Sequence, residues 1–391
     1  MTGRTLLATA LGVGAALAAV AVLLVVRAGD GSGPREARPE RCAGLPGGAA
    51  RACLTGELLA LVAGQEDPRP AVESITALSR RQGGPLLADC HAVMHTVGRT
   101  YAREAGVTLA TLRDNLPRSN DPGCPAGFAH GLVTGVAPLI DPREPREAAG
   151  VCADEETRYL RYSCVHGLGH AFMRIHDDRL APALELCRAL GPRSAPDCAQ
   201  GAYHDYWFAV VGADDATLPD GAVTEPRALC GTQPTEFVRP CWYRAYVDNR
   251  PAGIVADTPE HFEVLCGELD GLQRAGCVTA VSVIGPADPA EQLRLCASLP
   301  SAEDATSCVR GTKVQNRLGS TTAEWVRLIG RCDLFRDPTR AACYRWLGKT
   351  LAVVTDGEFG ESGCPELPAA DARRACVAGA RSVDEALVTF S

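Results

Sequence analysis

The sequence has few aromatic residues, almost no lysine and no closely spaced pair of cysteines. Aromatic residues make up 5% of the chain, and the lysines are Lys313 and Lys349. The formal net charge is −8, whereas a nucleic-acid-binding domain usually carries a basic face. Neither Cys-x-x-Cys nor Cys-x-x-Cys-His occurs. We therefore expect no nucleic-acid partner, zinc ribbon, thioredoxin-type redox centre or c-type haem attachment.

Cysteine, in contrast, is abundant. The chain has 391 residues and 18 cysteines, an even number. Such a count is typical of two classes of protein, one with a disulfide framework in an oxidising compartment and one with many metal ligands. The length is sufficient for one large domain or two ordinary ones.

The N-terminal segment predicts where the chain is located. Residues 6–26 form an uncharged run of 21 residues, long enough to cross a bilayer as a helix, and Arg4 precedes it. We interpret residues 1–27 as a transmembrane signal-anchor and residues 28–41 as a flexible stalk, with the remainder extracytoplasmic. A signal peptide cleaved after Ala28, which would give a secreted protein, is the alternative. Export favours disulfides as the fate of the cysteines.

The cysteines follow a repeat. Eight pairs are separated by 11 or 12 positions, and the first member of a pair commonly ends an apolar, helix-like stretch while the second begins another. The predicted disulfides are Cys42–Cys53, Cys152–Cys164, Cys187–Cys198, Cys230–Cys241, Cys266–Cys277, Cys296–Cys308, Cys332–Cys343 and Cys364–Cys376. Cys90 and Cys124 also begin helical stretches, and because they occupy equivalent points of neighbouring units we predict that they form the ninth disulfide.

The spacing of the second cysteines predicts the fold class. Ten such cysteines, from Cys53 to Cys376, recur about every 36 residues, the period of a helix–turn–helix solenoid. We therefore predict an all-α protein, an α-solenoid of about ten disulfide-stapled repeats after one transmembrane helix. Residues 42–210 would be the N-terminal repeats with the functional site, and residues 211–391 a scaffold or partner surface.

This pattern resembles that of Sel1-like repeat proteins, in particular the secreted cysteine-rich ones. The resemblance lies in the repeat length and the stapled helix pairs of residues 42–391, and Gly201-Ala-Tyr203 echoes part of the Leu-Gly-x-x-Tyr pattern of those repeats. It implies a right-handed superhelix with a concave surface lined by one helix of each pair. It implies no activity.

Six of the eight histidines lie at matching places in four consecutive repeats. His130, His170 and His204 each follow a second-helix cysteine by six positions, and His95 follows Cys90 by five. His91/His95 and His166/His170 form two His-x-x-x-His pairs, whose members share one face of a helix. The equivalent positions of later repeats hold other residues, so the repeat itself does not require histidine there. We interpret the two remaining histidines, His176 and His261, as ordinary satisfied residues.

A second period of 74 or 75 residues groups the six histidines into two trios. His91, His95 and His130 form the first, and His166, His170 and His204 form the second. Three histidines with an open position can bind catalytic zinc, and imidazole ligands also suit copper. We favour copper or zinc, with iron or a b-type haem as alternatives. We expect either two separate three-histidine sites or one elongated site for two ions.

The ligand count, twice three histidines, is similar to that of type 3 dicopper proteins. No glutamate lies inside either His-x-x-x-His pair, so the pattern is not that of a zincin metalloprotease. Asp205 and Glu104 are candidate helper residues.

Other functional interpretations stay open at this point. The histidines could act in acid–base catalysis or recognise an anionic ligand. The whole chain could instead be a non-catalytic solenoid that binds another envelope or secreted protein on its concave face. The sequence does not decide whether the protein is an oxidase, a hydrolase or no enzyme at all.

Overall fold

A computed structural model describes residues 38–42, 44–45, 47–212, 223–248, 256–317, 320–355 and 357–382. Within these ranges the chain is all-α, and no strand occurs. None of the helices in this part of the chain combines the length and the apolar character that a bilayer crossing requires. The predicted anchor, residues 6–26, and almost all of the predicted stalk lie outside the described residues.

The described chain contains nineteen α-helices, most of which form successive pairs. Each repeat has a first helix and a second helix, and the second helix carries the second cysteine of the repeat. The helices are α1 (Gly47–Val62), α2 (Arg69–Gln82), α3 (Gly84–Glu104), α4 (Leu109–Asn115), α5 (Cys124–Gly135), α6 (Pro145–Ala153), α7 (Arg158–Ile175), α8 (Leu180–Ala189), α9 (Ala195–Gly212), α10 (Pro226–Cys230), α11 (Thr235–Asp248), α12 (Pro259–Cys266), α13 (Gly271–Val283), α14 (Pro289–Ala297), α15 (Ala302–Arg310), α16 (Thr322–Ile329), α17 (Thr339–Val354), α18 (Glu358–Ser362) and α19 (Ala370–Ala380).

Short 3-10 helices complete the repeats. Pro39–Cys42 takes the place of a first helix before α1, Gly330–Leu334 extends α16, and Cys364–Glu366 follows α18. Two more, Ala137–Leu139 and Val314–Arg317, lie after α5 and α15.

Local sequence signals fix where many helices begin. The side chain of Thr321 accepts a hydrogen bond from the Glu324 amide, while Glu324 reaches back to the Thr321 amide, which is a capping box. Asp288 accepts from two amides at the start of α14. Proline also occupies the first turn of several helices, including α6, α10 and α12, where its missing N–H costs nothing.

Nine disulfides staple the repeats, and the pairing is the predicted one. Eight join the first and second elements of one repeat, and Cys90–Cys124 joins α3 to α5 of the next repeat. All of these cysteines except Cys53 are buried. The cysteines are therefore structural, and nine disulfides indicate an oxidising, extracellular-type compartment.

The second helices form a continuous layer, in which each packs against the second helix of the next repeat from α1 to α19. In the later repeats large aromatic residues lie within this layer or, in the case of Trp325 on α16, on a first helix. Trp242, Tyr243, Tyr246, Trp325, Tyr344 and Trp346 are all buried, so they belong to the core.

The last repeats also contact the early ones. Helix α17 packs against α7. The Asn120 side-chain amide donates to the Val353 carbonyl at 3.4 Å, and the Arg158 guanidinium donates to the Ala380 carbonyl at 3.4 Å. Residues more than 220 positions apart in sequence are thereby brought together.

Candidate metal centre

Six histidine rings meet in a single cluster on four consecutive second helices. His91 and His95 come from α3, His130 from α5, His166 and His170 from α7, and His204 from α9. Neighbouring rings in the cluster have centroids 4.5–6.3 Å apart. Even the outermost helices are connected, since the His91 and His204 rings stack at 6.3 Å.

Glycines allow the four helices to come this close. A Cβ atom on Gly127 of α5 would fall closer than 3.0 Å to the His91 carbonyl oxygen of α3. The same contact recurs one repeat pair later, where a Cβ on Gly201 of α9 would collide with the His166 carbonyl oxygen of α7. Gly167 lies against α5, with His130 Cα 3.4 Å from its ideal Cβ position. Backbone therefore packs on backbone, and the histidines project from helices that nearly touch.

The three histidines of the first trio contact one another through their ring nitrogens. His95 Nε2 lies 3.0 Å from His91 Nε2 and 3.2 Å from His130 Nδ1. His91 Nδ1 lies 2.7 Å from the Pro122 carbonyl oxygen, which can only accept, so Nδ1 carries the proton and Nε2 faces the cluster as a lone pair. On its far side His130 Nε2 meets the Ser163 hydroxyl at 3.1 Å.

These nitrogen separations match a metal site. Ligand nitrogens about 2.0–2.1 Å from a tetrahedral ion lie about 3.3 Å apart. The separations of 3.0 and 3.2 Å are a few tenths of an ångström shorter, so a small outward movement of the rings would admit an ion. The backbone carbonyl bonded to His91 is the kind of outer partner that orients a ligating imidazole.

The second group of histidines has four buried ring nitrogens without hydrogen bonds. His166 and His170 are 0 and 1% exposed. Both ring nitrogens of His166, Nε2 of His170 and Nδ1 of His204 are buried and have no hydrogen-bond partner among the described residues. An unpaired buried polar atom costs about 1–3 kcal/mol, and such a group in a native fold requires an explanation.

A carboxylate orients His170. Its Nδ1 donates to Asp205 Oδ1 at 2.9 Å, which leaves Nε2 free to act as a ligand atom. Carboxylate–histidine pairs of this kind recur around metal sites, where they fix the tautomer and raise the basicity of the ligand. Asp205 thus has a defined structural role. Glu104, the other candidate helper, is exposed at the end of α3 and no described contact joins it to the cluster.

The geometry differs in part from the expected division into two trios. Two triads have ligand atoms within 4.8 Å of one another, and they are His91/His95/His130 and His130/His166/His170. The first is the expected trio. In the second, His130 stands where His204 was expected, because the four helices converge on one centre instead of spreading along the solenoid. The helical period predicts that the histidines lie on the same face of neighbouring helices, but it does not predict that the helices converge on one centre.

His204 lies at the edge of the cluster, beside a buried ion pair. Its ring centroid is 5.2 Å from that of His170, and its Nε2 is 4.0 Å from Asp248 Oδ1. Asp248 accepts from the buried Arg244 at 3.3 Å. Both residues belong to α11, and no sequence signal distinguished either one from other charged residues of the later repeats.

The electrostatic setting favours neutral imidazoles. Burial lowers the pKa of His91 to about 4, and it holds the pKa of His95, His130, His166 and His204 well below the ordinary value. Neighbouring positive groups, including Arg244, add to this lowering. Neutral imidazole is the form that binds metal ions.

The histidines outside the cluster differ from each other. His261 pairs with Asp257 at 3.1 Å and is an ordinary satisfied residue, as expected. His176 ends α7, and its buried Nε2 has no partner among the described residues. The expectation of a satisfied residue is therefore wrong for His176.

The cluster opens to solvent through one side. A cavity of about 180 Å³ is lined by His95 and His204 and continues past Arg99 and Arg174. Phe208, which is half exposed, forms part of its wall. One ring of each trio, His95 or His204, is therefore reachable by a small molecule.

Comparisons with models of protein families, with curated proteins and with solved structures gave no match to this chain.

Proposed function

We propose that the protein is a membrane-anchored, extracytoplasmic metalloprotein whose six-histidine cluster binds two transition-metal ions. One ion would be held by His91, His95 and His130. The other would be held by His166, His170 and His204. The fold serves this function by bringing four helices to one point, and the disulfides maintain that arrangement outside the cell.

The observation that carries the proposal is the distribution of unpaired nitrogens. The first three histidines bond to one another, whereas the four unpaired buried ring nitrogens of the cluster all belong to His166, His170 and His204. A metal ion would satisfy several of these lone pairs at once, which no side chain among the described residues does. Because His130 already faces the first trio and Ser163, His204 is the better third ligand for the second ion.

The donor set selects the class of metal. Six imidazoles and no carboxylate or thiolate ligand suit copper, zinc or iron, and among divalent ions copper binds such sites most strongly. Copper is our first candidate and zinc the second. The described cavity of about 180 Å³ is smaller than the roughly 300–1,000 Å³ pockets that hold drug-sized ligands, so we favour ions over a b-type haem.

Three histidines leave an open coordination position on each ion. A metal ion held in this way can activate water or bind a small substrate. The cavity beside His95 and His204 lies where such a molecule would enter. An oxidase or a hydrolase is therefore the kind of enzyme that this centre would support.

Metal analysis of the purified full-length chain tests the proposal. We expect two copper or zinc ions per chain after loading and dialysis. The variants His95→Gln and His166→Gln should each lose one ion, and the combined variant should lose both. His261→Gln, which alters a histidine outside the cluster, is the matched control and should retain two ions.

Two results of the metal analysis would contradict the proposal, the first as a whole and the second in its ligands for the second ion. If the loaded protein holds no copper, zinc or iron while its melting temperature stays that of the folded protein, the metal function is wrong and a binding scaffold becomes the better interpretation. If His204→Gln keeps both ions with unchanged affinity, the second ion is held by His130, His166 and His170.

A further inference from the structure

The residues that line the cavity beside the histidine cluster limit which substrate the centre could act on. Its wall combines two histidines, one from each trio, with two arginines and one exposed aromatic ring, and these are His95, His204, Arg99, Arg174 and Phe208. Asp205 also lines it, and that carboxylate accepts a hydrogen bond from Nδ1 of His170.

Arg99 is the informative residue. It lies on α3 one turn after His95, its side chain is half buried, and it makes no hydrogen bond or ion pair with any described residue. Arginine presents five donors in a planar fork that fits an oxyanion. Arg99 lines the cavity and its guanidinium has no protein partner among the described residues, so its donors are available to an anion that enters there.

The surrounding charges strengthen this point. Arg174, on the other side of the cavity, is also cationic and shares its charge with Asp178 at 3.2 Å. Burial and the nearby Arg174 and Arg103 lower the pKa of Arg99 more than the carboxylates of Asp205 and Asp178 raise it, so an added negative charge beside Arg99 would further offset the repulsion between these cations. The cavity is small, about 180 Å³, which favours a guest of a few heavy atoms.

We propose that this cavity binds a small oxyanion, a phosphate- or carboxylate-sized group that Arg99 holds against the histidine cluster. The inference rests on the proposed function for its role, since an anion at this place would lie beside His95 and His204 and could reach the open positions of both ions. It names the substrate class of the centre as a small, negatively charged oxygen compound.

Titration of inorganic phosphate into the purified full-length chain, with the heat of binding measured by calorimetry, tests the inference. Metal-loaded and metal-free protein should both bind phosphate saturably, and the loaded form should bind more tightly because the ions add positive charge. Acetate in a parallel titration distinguishes a planar carboxylate from a tetrahedral group, and saturable binding of either anion that depends on Arg99 supports the proposal.

Three variants assign the binding to the cavity. Arg99→Gln should weaken phosphate binding about 10-fold or more, as expected for loss of a charged hydrogen-bonding partner. Arg99→Lys, which keeps the charge without the fork, should recover part of that loss. Arg103→Gln is the matched control, because Arg103 is exposed one turn further along α3 and does not line the cavity, and its effect should be less than twofold.

The outcomes separate this inference from the metal function. Two bound ions with no saturable anion binding, or with equal binding by Arg99→Gln and the unaltered protein, would overturn the oxyanion site and leave the metal centre intact. Arg99-dependent phosphate binding in a protein that takes up no metal would retain the oxyanion site and remove the metal centre. Metal stoichiometry and melting temperature, measured on every variant, show that Arg99→Gln is folded.

Discussion

Two helix crossings in this molecule have the same backbone design and different side chains. In the α7–α9 pair, Gly169 meets the Cys198 carbonyl oxygen and Gly201 meets the His166 carbonyl oxygen. In the α17–α19 pair, Gly348 meets the Cys376 carbonyl oxygen and Gly379 meets the Arg345 carbonyl oxygen. The glycines follow the second-helix cysteines by the same five and three positions in both pairs.

The histidines of the α7–α9 crossing are replaced by other residues in the α17–α19 crossing. Counted from the same cysteines, the places of His166, His170 and His204 are taken by Arg345, Lys349 and Ser382. Lys349 is buried near the ring of Trp346, 5.4 Å from its centroid. The close crossing is thus a property of the repeat, and the histidines are an addition to it. Disulfide and glycine positions describe the scaffold, whereas the residues at the cysteine +2 and +6 positions, or +1 and +5 after Cys90, describe the site.

Removing a disulfide in each region should give the largest effect. The variant Cys90→Ser/Cys124→Ser opens a loop with a sequence separation of 34, which predicts a loss of about 3.8 kcal/mol, and Cys230→Ser/Cys241→Ser opens one of 11, which predicts about 2.8 kcal/mol. Urea unfolding measures both. The first variant should also lose metal, because Cys90 is adjacent to His91. Equal metal content in the two variants would contradict the separation of site from scaffold.

Adding one methyl group at each crossing sharpens the comparison. Gly201→Ala and Gly379→Ala both place a Cβ against backbone, so each should lower the free energy of unfolding by about 3 kcal/mol. Only Gly201→Ala should reduce the bound metal, as measured by elemental analysis. Gly150→Ala in α6, where a Cβ meets nothing within 4 Å, should not destabilise the protein. A fully loaded Gly201→Ala protein of unchanged stability would show that the crossing does not shape the site.

Replacing Asp205 should produce a smaller and more local change. Asp205→Asn removes the carboxylate that orients His170, and we expect metal affinity to fall about 10–100-fold while the fold persists. Competition with a chelator measures the affinity. Asp371→Asn, at an exposed ion pair with Arg340 in the later repeats, is the control and should leave the affinity unchanged. An unchanged affinity in Asp205→Asn would exclude a role for this pair in metal binding.

The smallest effect is expected at a histidine of the later repeats. His261 has a side chain that is 42% exposed and pairs with Asp257 on the surface. His261→Ala should change the free energy of unfolding by less than about 0.5 kcal/mol. The His261→Ala protein should still bind two metal ions. A loss of metal in this variant would mean that binding depends on histidine content and not on the cluster.

The cysteine register predicted much of the fold and part of the site. Each second-helix cysteine from Cys53 to Cys376 lies in a helix, and the nine disulfides have the predicted partners. Eight of them follow from short spacings that restrict which helix ends can meet, and Cys90–Cys124 follows from equivalent places in neighbouring repeats. The histidine register placed the six rings on one face of four adjacent helices. This information is local, and a periodic sequence conveys local geometry well.

The convergence of the six rings could not be predicted in the same way. It depends on the angle at which each helix crosses the next, which Gly127 and Gly201 set through backbone contacts that no spacing reveals. Arg244 and Asp248 reach the cluster from α11, about 40 residues beyond the last of its ligands. Their charged side chains resemble many others in the sequence, and only the fold shows that they are buried beside His204.

The contacts between early and late repeats change how the molecule should come apart. An open array of repeats is held only by nearest neighbours, so its terminal units fray first and melting can proceed stepwise from either end. Here Asn120 is bonded to Val353 and Arg158 to Ala380, so the final units are tied to the loop before α5 and to the start of α7. Fraying at the carboxyl-terminal end would release contacts next to the metal-bearing helices. Late repeats that carry none of the six clustered histidines can thereby determine how long the centre stays assembled.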